Sequence, residues 1–197
     1  MAEWRLFDGD VPYVSTFEFH EHRARAPHID QPAHWPRLHV AGRFLRDAAE
    51  HLSTWSDLGC GDGGLLSVTQ DAFSEAWGYD FQPSNALGWP GRGVTAYLLD
   101  AFDPAARDQV RLGSAVSCTE VLEHLADPHG VLAWLYSAPE AEALVCSSPV
   151  NEDASSHDEC HAWAWDSDGY QALVTGAGWR IRQYEVITTF QVIWAVK

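Results

Sequence analysis

The stretch WSDLGCGDGG, residues 55–64, decides the fold of this chain. A short apolar run leads into it. The residues after it carry an apolar face at helical spacing, formed by Leu65, Leu66, Thr69, Ala72 and Phe73. A strand, a glycine turn and a helix in this order are typical of the first βαβ unit of a nucleotide-binding sheet. The sequence therefore predicts an α/β fold.

The acidic residues of this loop indicate which ligand it binds. Gly59, Gly61 and Gly64 also satisfy the dinucleotide fingerprint, which on its own is weak evidence. A dinucleotide brings a pyrophosphate anion, which Asp57 and Asp62 would repel. S-adenosylmethionine (SAM) instead brings a sulfonium and an ammonium cation, which carboxylates attract. The loop is therefore interpreted as a SAM site, whose predicted cofactor-binding residues are Asp57, Gly59, Cys60, Gly61 and Gly63.

Composition limits the class of protein. The chain has 197 residues, 46% hydrophobic and 20% charged, which predicts one globular domain with a substantial core. Apolar runs stay well short of the ~20 residues that a membrane helix needs, and the first ten residues lack a secretory pattern. The four cysteines form no CxxC pair, which favours reduced thiols and a cytoplasmic location.

The net charge of −16 argues against nucleic acid as a substrate. Binding a phosphate backbone takes a basic face, but Lys197 is the only lysine and the arginines are scattered. We therefore expect a small-molecule substrate, neutral or cationic, and neither nucleic acid nor a membrane as partner. The sequence gives no indication of the oligomeric state.

Further strands recur at βαβ intervals after the glycine loop. The predicted strands are 76–80, 94–100, 114–119 and 143–148, and the predicted helices are 128–138 and 168–175. Residues 179–186 and 190–196 are predicted to form an antiparallel hairpin. The fold class predicted from this order is a Rossmann-like, doubly wound, mostly parallel sheet of seven strands with a C-terminal antiparallel hairpin.

Residues 1–50 are predicted to form a helical extension that covers the ligand crevice as a lid, and residues 51–197 the SAM-binding core. Apolar spacing predicts a helix from Arg37 onward. The extension is rich in histidines that could line a pocket, namely His20, His22, His28, His34 and His39, with His51 just beyond it. The alternative is a solvated pair of helices whose histidines have no role.

Two carboxylates at strand ends indicate recognition of a nucleoside. Asp80 ends the second predicted strand, where it can accept hydrogen bonds from both ribose hydroxyls. Asp100 ends the third, where an adenine amino group would lie. Phe81 and Ala101, the next residues, are predicted to line the same cofactor site. The alternative role for each aspartate is to cap the following helix.

The run CTEVLEHLADP, residues 118–128, resembles the motif after strand four of class I SAM-dependent methyltransferases. With the glycine loop and the terminal hairpin, the resemblance covers about residues 37–197 and is nearest to the branch of the ubiquinone-biosynthesis O-methyltransferases. That branch carries a Pro-x-Arg-Leu-like element, to which Pro36-Arg37-Leu38 is similar. The resemblance implies that Arg37 pairs with the SAM carboxylate and that Cys118 lies in the cofactor site. The alternative for Arg37 is a helix-surface position.

The ExxEH pattern of Glu120, Glu123 and His124 predicts a site for Mg²⁺ or another divalent cation. Positions i, i+3 and i+4 share one helix face, so the three side chains can converge on one point. The pattern is similar to that of metal-dependent small-RNA 2′-O-methyltransferases, in which a later histidine, followed by an aromatic-x-Trp pattern, completes the site. This resemblance implies His161 as the fourth ligand, although the acidic chain departs from an RNA-binding role.

A second metal hypothesis concerns His157, Cys160 and His161. These residue types are zinc ligands, but a structural zinc site wants four ligands at characteristic spacing. The sequence offers no partner pair at such spacing, so this site is discounted.

The predicted function is SAM-dependent methyl transfer to a small molecule, with O-methylation favoured. His124 and Glu120 are the predicted catalytic residues. His124 would remove the proton of an oxygen nucleophile, and the cation would stabilise its charge. The alternatives are N-methylation, a protein that binds SAM without catalysis, and a nicotinamide oxidoreductase. Asp57 and the ExxEH pattern argue against the last.

Overall fold

The computed structural model of this protein describes residues 2–6, 24, 27–158 and 160–197. The strands are β1 (Glu3–Arg5), β2 (Thr54–Leu58), β3 (Glu75–Asp80), β4 (Ala96–Leu98), β5 (Ala115–Thr119), β6 (Ala143–Pro149), β7 (Trp163–Trp165), β8 (Arg180–Ile187) and β9 (Phe190–Val196). The α-helices are α1 (Trp35–Ala49), α2 (Gly64–Thr69), α3 (Pro83–Ala86), α4 (Trp89–Arg92), α5 (Pro128–Ser137) and α6 (Ser167–Gly176). Short 3-10 turns lie at His28–Asp30, Pro32–His34, Gln70–Ala72, Arg107–Gln109 and Leu122–His124.

The main sheet confirms the predicted fold class. Within the described residues it has seven strands in the order β4-β3-β2-β5-β6-β9-β8. The first five run parallel to their neighbours, and the hairpin of β8 and β9 adds to β6 in the antiparallel sense. The order reverses at β2, so β2 and β5 lie where a doubly wound sheet forms its ligand crevice.

Hydrophobic clusters cover both faces of this sheet. One contains Trp165, Tyr170 and Trp179, and the other contains Phe44 and Trp55. Both faces of β2 and β6 are covered, because nearly every residue of these two strands is buried. Each large apolar side chain buried in this way stabilises the fold by roughly 1.5–3 kcal/mol.

Helix α1 packs its apolar stripe against β6 and β9. Phe44 and Leu45 lie on this stripe and are fully buried, so the predicted helix from Arg37 onward is present and belongs to the packed core. The lid role of residues 1–50 stays a prediction, and His20 and His22 lie outside the described residues.

Two predicted elements are shorter than expected. Helix α2 ends at Thr69, and Phe73 is extended, so the predicted helical face through Phe73 is wrong. Phe73 is nevertheless buried because its ring packs 5.5 Å from that of Trp55. Strand β4 spans Ala96–Leu98 instead of 94–100, since it is an edge strand that pairs with β3 alone. Among the described residues, none of the helices combines the length and apolar character needed to cross a membrane.

A second, two-stranded sheet joins β1 to β7 and was not predicted. The strands are antiparallel, with Glu3 opposite Trp165. Ala2 donates its backbone N–H to Asp166 Oδ1 at 2.9 Å, and Trp165 Nε1 donates to Glu3 Oε2 at 2.7 Å. The loop before β7 is held as well, because the amide of Ala162 donates to the carbonyl of Glu123 at 2.6 Å. This sheet therefore fixes the loop that carries Cys160 and His161.

Candidate active site

A cavity of about 770 Å³ lies at the carboxyl ends of β2, β3, β5 and β6. Open α/β sheets bind ligands at this edge. The predicted site residues that line it are Arg37, Asp57, Gly59, Cys60, Gly61, Asp80, Phe81, Asp100, Ala101, Glu120, Glu123, His124 and His161. The turns at His28–Asp30 and Pro32–His34 form another wall, where the rings of His28 and His34 stack with their centroids 4.1 Å apart.

The glycine loop owes its shape to left-handed backbone conformations. Gly59 has φ +73° and Gly63 has φ +83°. A Cβ atom at Gly59 would lie 2.5 Å from Val121 Cγ2, so the close packing of the loop also requires glycine. At Gly61, with φ +56°, nothing lies within 4 Å of that position. The backbone at Gly61 therefore leaves space for a ligand in the cavity.

Asp80 lies at the end of β3 and already accepts three hydrogen bonds. Its Oδ2 accepts from the amide of Gly61 at 2.9 Å, and its Oδ1 accepts from Gln82 N at 2.8 Å and Asn85 Nδ2 at 3.2 Å. Burial raises the pKa of Asp80. An ionised carboxylate offers about four acceptor positions. One acceptor position of Asp80 therefore remains for a ribose hydroxyl. To accept from both ribose hydroxyls, Asp80 would have to lose its longest hydrogen bond, the one from Asn85.

Asp57, at the end of β2, is a buried carboxylate beside the glycine loop. Ser117 Oγ donates to its Oδ1 at 2.6 Å, and Trp55 Nε1 donates to Ser117 Oγ at 2.8 Å. Burial raises the pKa of Asp57 to about 7, although the Ser117 hydrogen bond and the charge of Arg37 oppose this. A cation bound in the cavity would favour the ionised carboxylate, so Asp57 fits a cationic ligand.

Asp62, the other acidic residue of the loop, is paired within the protein. Arg92 donates to Asp62 Oδ2 from Nε at 2.8 Å and from Nη2 at 2.6 Å. The same Nη2 atom lies 3.0 Å from Asp30 Oδ2, which links the loop to the turn at His28–Asp30. Because Arg92 neutralises Asp62, the charge argument for a cationic ligand rests on Asp57.

Arg37 is buried at 2% exposure, so the alternative of a helix-surface arginine is wrong. Its guanidinium lies over the ring of Phe190 at 5.5 Å, and its Nη2 is 3.4 Å from His28 Nδ1. Its Nε is 3.9 Å from Glu120 Oε1 and has no hydrogen-bond partner among the described residues. The predicted contact of Arg37 with a ligand carboxylate is compatible with this placement.

The ExxEH segment is not a helix, so the prediction that its three side chains share one helix face is wrong. Glu120 has φ +57°, and only Leu122–His124 forms a 3-10 turn. Glu120 is held at the end of β5 by Ser147 in the neighbouring strand. Its amide donates to the Ser147 carbonyl at 3.1 Å, and its Oε1 accepts from Ser147 Oγ at 2.8 Å. Glu120 is thereby directed to Ser147 and Arg37.

Glu123 and His124 lie together at the other end of the cavity. Glu123 is fully buried, and neither carboxylate oxygen has a hydrogen-bond partner among the described residues. Its Oε1 is 4.0 Å from His124 Nε2. Burial and the nearby charge of Glu120 raise the pKa of Glu123 well above its usual range. A buried carboxylate in this position favours a cationic neighbour.

His161 meets His124 at this end, with ring centroids 4.7 Å apart. His161 Nδ1 is 2.5 Å from Glu152 Oε2, and His124 Nδ1 is 3.1 Å from the carbonyl oxygen of Cys160. In the part of the chain that the structure describes, the ligand atoms of His124, Cys160 and His161 lie within 4.8 Å of one another, and Glu120 and Glu123 are not part of this group. The cation site predicted from Glu120, Glu123, His124 and His161 stays a prediction.

Two predicted cofactor residues lie outside the described cavity lining. Cys118 is fully buried in the hydrophobic core, where burial raises the pKa of its thiol well above the usual range. Its side chain packs in the core inside β5, and its role in the cofactor site stays a prediction. Gly63 shapes the turn that begins α2.

Two residues that line the cavity, Glu152 and Phe190, are not among the predicted site residues. Glu152 follows β6 at the carboxyl edge, so the rule that singled out Asp80 and Asp100 could have found it. Phe190 begins β9 and reaches the cavity because it pairs with Pro149 at the end of β6. Only the antiparallel register places it there.

Comparisons with known proteins identify a matching family and solved structures with a similar fold. A family model described as a methyltransferase domain matches residues 37–182. Magnesium protoporphyrin IX methyltransferase (ChlM) from Synechocystis PCC 6803 with bound SAM has a similar fold, with a TM-score of 0.65 and 14% identity over 92% of this chain and 89% of that one. The methyltransferase domain of bacterial CtHen1 also has a similar fold, with a TM-score of 0.63 and 16% identity over 82% of this chain and 97% of that one.

An O-methyltransferase family protein from Burkholderia thailandensis gives a TM-score of 0.64 and 13% identity over 84% of this chain. This chain spans only 56% of that protein. No curated protein matches the sequence. At such low identities the solved structures show the fold alone. Because the family model matches most of the sequence, the chain belongs to the methyltransferase domain family.

Proposed function

We propose that this protein is a SAM-dependent methyltransferase that methylates an oxygen atom of a small molecule. The observation that carries the proposal is a single cavity with two chemically different ends. The glycine loop, Asp57 and Asp80 line one end, and Glu123, His124 and His161 line the other. A methyl donor and a group that accepts a proton can therefore be held side by side.

The cofactor end suits SAM, which family membership also supports. When bound, SAM supplies a methyl group on a positively charged sulfur. Asp80 would accept a hydrogen bond from the ribose, and Arg37 would bind the carboxylate. Asp57 would stabilise the positive charge of the ligand. Phe81, Asp100 and Ala101 would surround the base.

At the acceptor end, His124 would take the proton of the acceptor hydroxyl. Its Nδ1 faces the Cys160 carbonyl, which can only accept a hydrogen bond. Nδ1 is therefore the protonated nitrogen, and Nε2 carries the lone pair of a general base. His28, His34 and Phe190 cover the cavity and would exclude water from the reacting atoms.

A divalent cation at this end would stabilise the charge of the acceptor oxygen. The observation that supports it is the buried Glu123 carboxylate, which lacks a hydrogen-bond partner among the described residues. His124 and His161 would hold the ion beside Glu123, with Glu120 at the rim of the same cavity. With the ion bound, the Nε2 lone pair of His124 would bind the metal, and the ion would lower the pKa of the acceptor hydroxyl in place of the general base.

The acceptor is proposed to be small and either neutral or cationic. Glu120, Glu123, Glu152 and Asp158 line this end of the cavity, and the chain carries a net charge of −16. Both features disfavour an anionic acceptor, and nucleic acid above all.

To test the proposal, the protein is incubated with methyl-tritiated SAM and a cell extract that has been separated into small-molecule, protein and nucleic-acid fractions. We expect label in the small-molecule fraction, lost with His124→Gln and retained with His39→Gln, an exposed histidine of α1. Mass spectrometry of the product then distinguishes O-methylation from N-methylation. Label in protein or nucleic acid would contradict the proposed acceptor, and a protein that does not bind SAM would contradict the proposed activity.

A further inference from the structure

Two histidines and a cysteine from separate loops meet at the acceptor end of the cavity. His124 ends the 3-10 turn after β5, and Cys160 and His161 lie in the loop before β7. Their ligand atoms lie within 4.8 Å of one another. Cys160 is not part of the ExxEH and later-histidine pattern, so this set differs from the one that the sequence predicted.

Hydrogen bonds to both imidazoles orient them as metal ligands. The Cys160 carbonyl and the Glu152 carboxylate are acceptors, so His124 and His161 each present a protonated Nδ1 to them. In each ring the lone pair then resides on Nε2. Histidines that bind metals almost always donate their other N–H to a carbonyl or a carboxylate in this way.

Glu123 provides an independent sign of a bound cation. Its side chain is fully buried, and both oxygens lack a hydrogen-bond partner among the described residues. Its Oε1 lies 4.0 Å from His124 Nε2, which is too far for a hydrogen bond. An ion at the three-residue cluster would place positive charge next to this carboxylate and remove the cost of its burial.

We propose that His124, Cys160 and His161 bind a thiophilic divalent transition-metal ion of the zinc class. Thiolate and imidazole ligands suit zinc and cobalt, whereas Mg²⁺ requires oxygen ligands. Three protein ligands leave one tetrahedral position, beside Glu123 and the cavity, as in zinc sites that bind a water or a substrate. The proposal deepens the proposed function by naming the ion, and only the catalytic role of the ion rests on that function.

Binding of the ion is coupled to loss of a proton. Cys160 Sγ donates to Asp158 Oδ1 at 3.2 Å. When the metal–sulfur bond forms, the thiol proton leaves through Asp158 to solvent, and the thiolate supplies both bonding electrons. The oxidation states of metal and sulfur do not change.

The fold replaces one member of the set that the sequence offered as zinc ligands. His124 and Cys160 are 36 residues apart, a separation that matches no zinc motif. His157, the third residue of that discounted set, is exposed, and its Nδ1 lies 2.8 Å from the Asp158 carbonyl. The structure thus exchanges His157 for His124.

The test uses the full chain, stripped of metal with a chelator and titrated with Co²⁺, which reports a sulfur ligand through a thiolate-to-cobalt charge-transfer band. We expect this band in the unmodified protein, its removal by Zn²⁺, and its persistence in excess Mg²⁺. Cys160→Ser should abolish the band and weaken Zn²⁺ binding by more than about 100-fold. Glu152→Ala should weaken it by about 10- to 100-fold because it removes the acceptor that orients His161.

His157→Ala is the matched control and should leave both the band and the affinity unchanged. Circular dichroism and binding of S-adenosylhomocysteine show whether each variant is folded, independently of the metal and of methyl transfer. Absence of the band from the folded, unmodified protein would overturn the proposal, as would its persistence in Cys160→Ser or its removal by Mg²⁺. Binding of the cofactor without any methylated product would instead contradict the proposed function.

Discussion

The buried carboxylate of Asp57 should make SAM binding depend on pH. Its pKa in the protein is about 7. A group with this pKa is ~9% ionised at pH 6 and ~91% ionised at pH 8. If SAM binds the ionised form, its affinity rises about tenfold between these values, and below pH 6 it falls about tenfold for each further pH unit.

Calorimetric titration with SAM from pH 5.5 to 8.5 measures this effect. The asparagine of Asp57→Asn cannot ionise. Dividing the SAM affinity of the unmodified protein by that of Asp57→Asn at each pH therefore cancels the effect of the ionisation of SAM itself. Ser117→Ala provides a second variant, because the Ser117 hydrogen bond lowers the pKa of Asp57. Loss of this hydrogen bond should raise the pKa of Asp57 and move the midpoint of the pH dependence of SAM binding to higher pH. A ratio that stays constant across this range would refute the reasoning.

The same shift has a consequence for stability with the opposite sign. The pKa of Asp57 rises from 3.8 to about 7 on folding, so the protonated form favours the folded state. This contribution is present below pH 3.8 and is lost as the pH rises through about 7. Without ligand, the protein should therefore lose up to about 4 kcal/mol of stability relative to Asp57→Asn over this range. Urea unfolding at pH 5 and pH 8 should show about 2.6 kcal/mol of this loss, because Asp57 in the unfolded chain is already mostly ionised at pH 5.

Two further predictions concern residues that face the cofactor end. Arg37→Met should weaken SAM binding by about 1.5–3 kcal/mol, since it removes a charge-assisted hydrogen bond, and calorimetry should show little change for decarboxylated SAM. A loss of equal size for both ligands would mean that Arg37 supports the fold instead of the carboxylate. Gly59→Ala should destabilise the protein by about 1–3 kcal/mol in thermal unfolding, because it combines positive φ with the contact to Val121. Gly61 also has positive φ but open space around a Cβ atom, so Gly61→Ala should destabilise the protein less than Gly59→Ala. A larger loss of stability for Gly61→Ala would contradict the described loop geometry.

Much of the fold could be predicted because the strands carry periodic signals. Buried parallel strands read as apolar runs, and the glycine loop identifies the first of them. Predictions failed where a contact from a distant part of the chain decides the backbone. Glu120 is the clearest case. Its amide donates to Ser147 in the neighbouring strand β6, and this contact excludes the helical conformation that the ExxEH spacing assumes. The pairing of β1 with β7 joins distant segments that carry no local signal.

The candidate site could be predicted to the extent that one rule applies, since side chains at the carboxyl ends of parallel strands share one edge. This rule gathers Asp57, Asp80 and Asp100 at the cavity without any knowledge of the loops. It does not distinguish a residue that faces the cavity from one whose side chain packs inside the sheet, as that of Cys118 does. It also gives no information on loop packing, and only that packing brings Cys160 to His124.

The small sheet of β1 and β7 also affects the order in which the protein assembles during synthesis. Glu3 and Trp165 are 162 residues apart. At ribosomal rates β1 waits roughly 8–30 s after its own synthesis before its partner strand exists. The strands β2 to β6 and the glycine loop that follows β2 are all synthesised in this interval. The loop that carries His161 is therefore anchored only after the cofactor loop has been made, and a chain released before this loop is synthesised would retain the cofactor loop but lack His161.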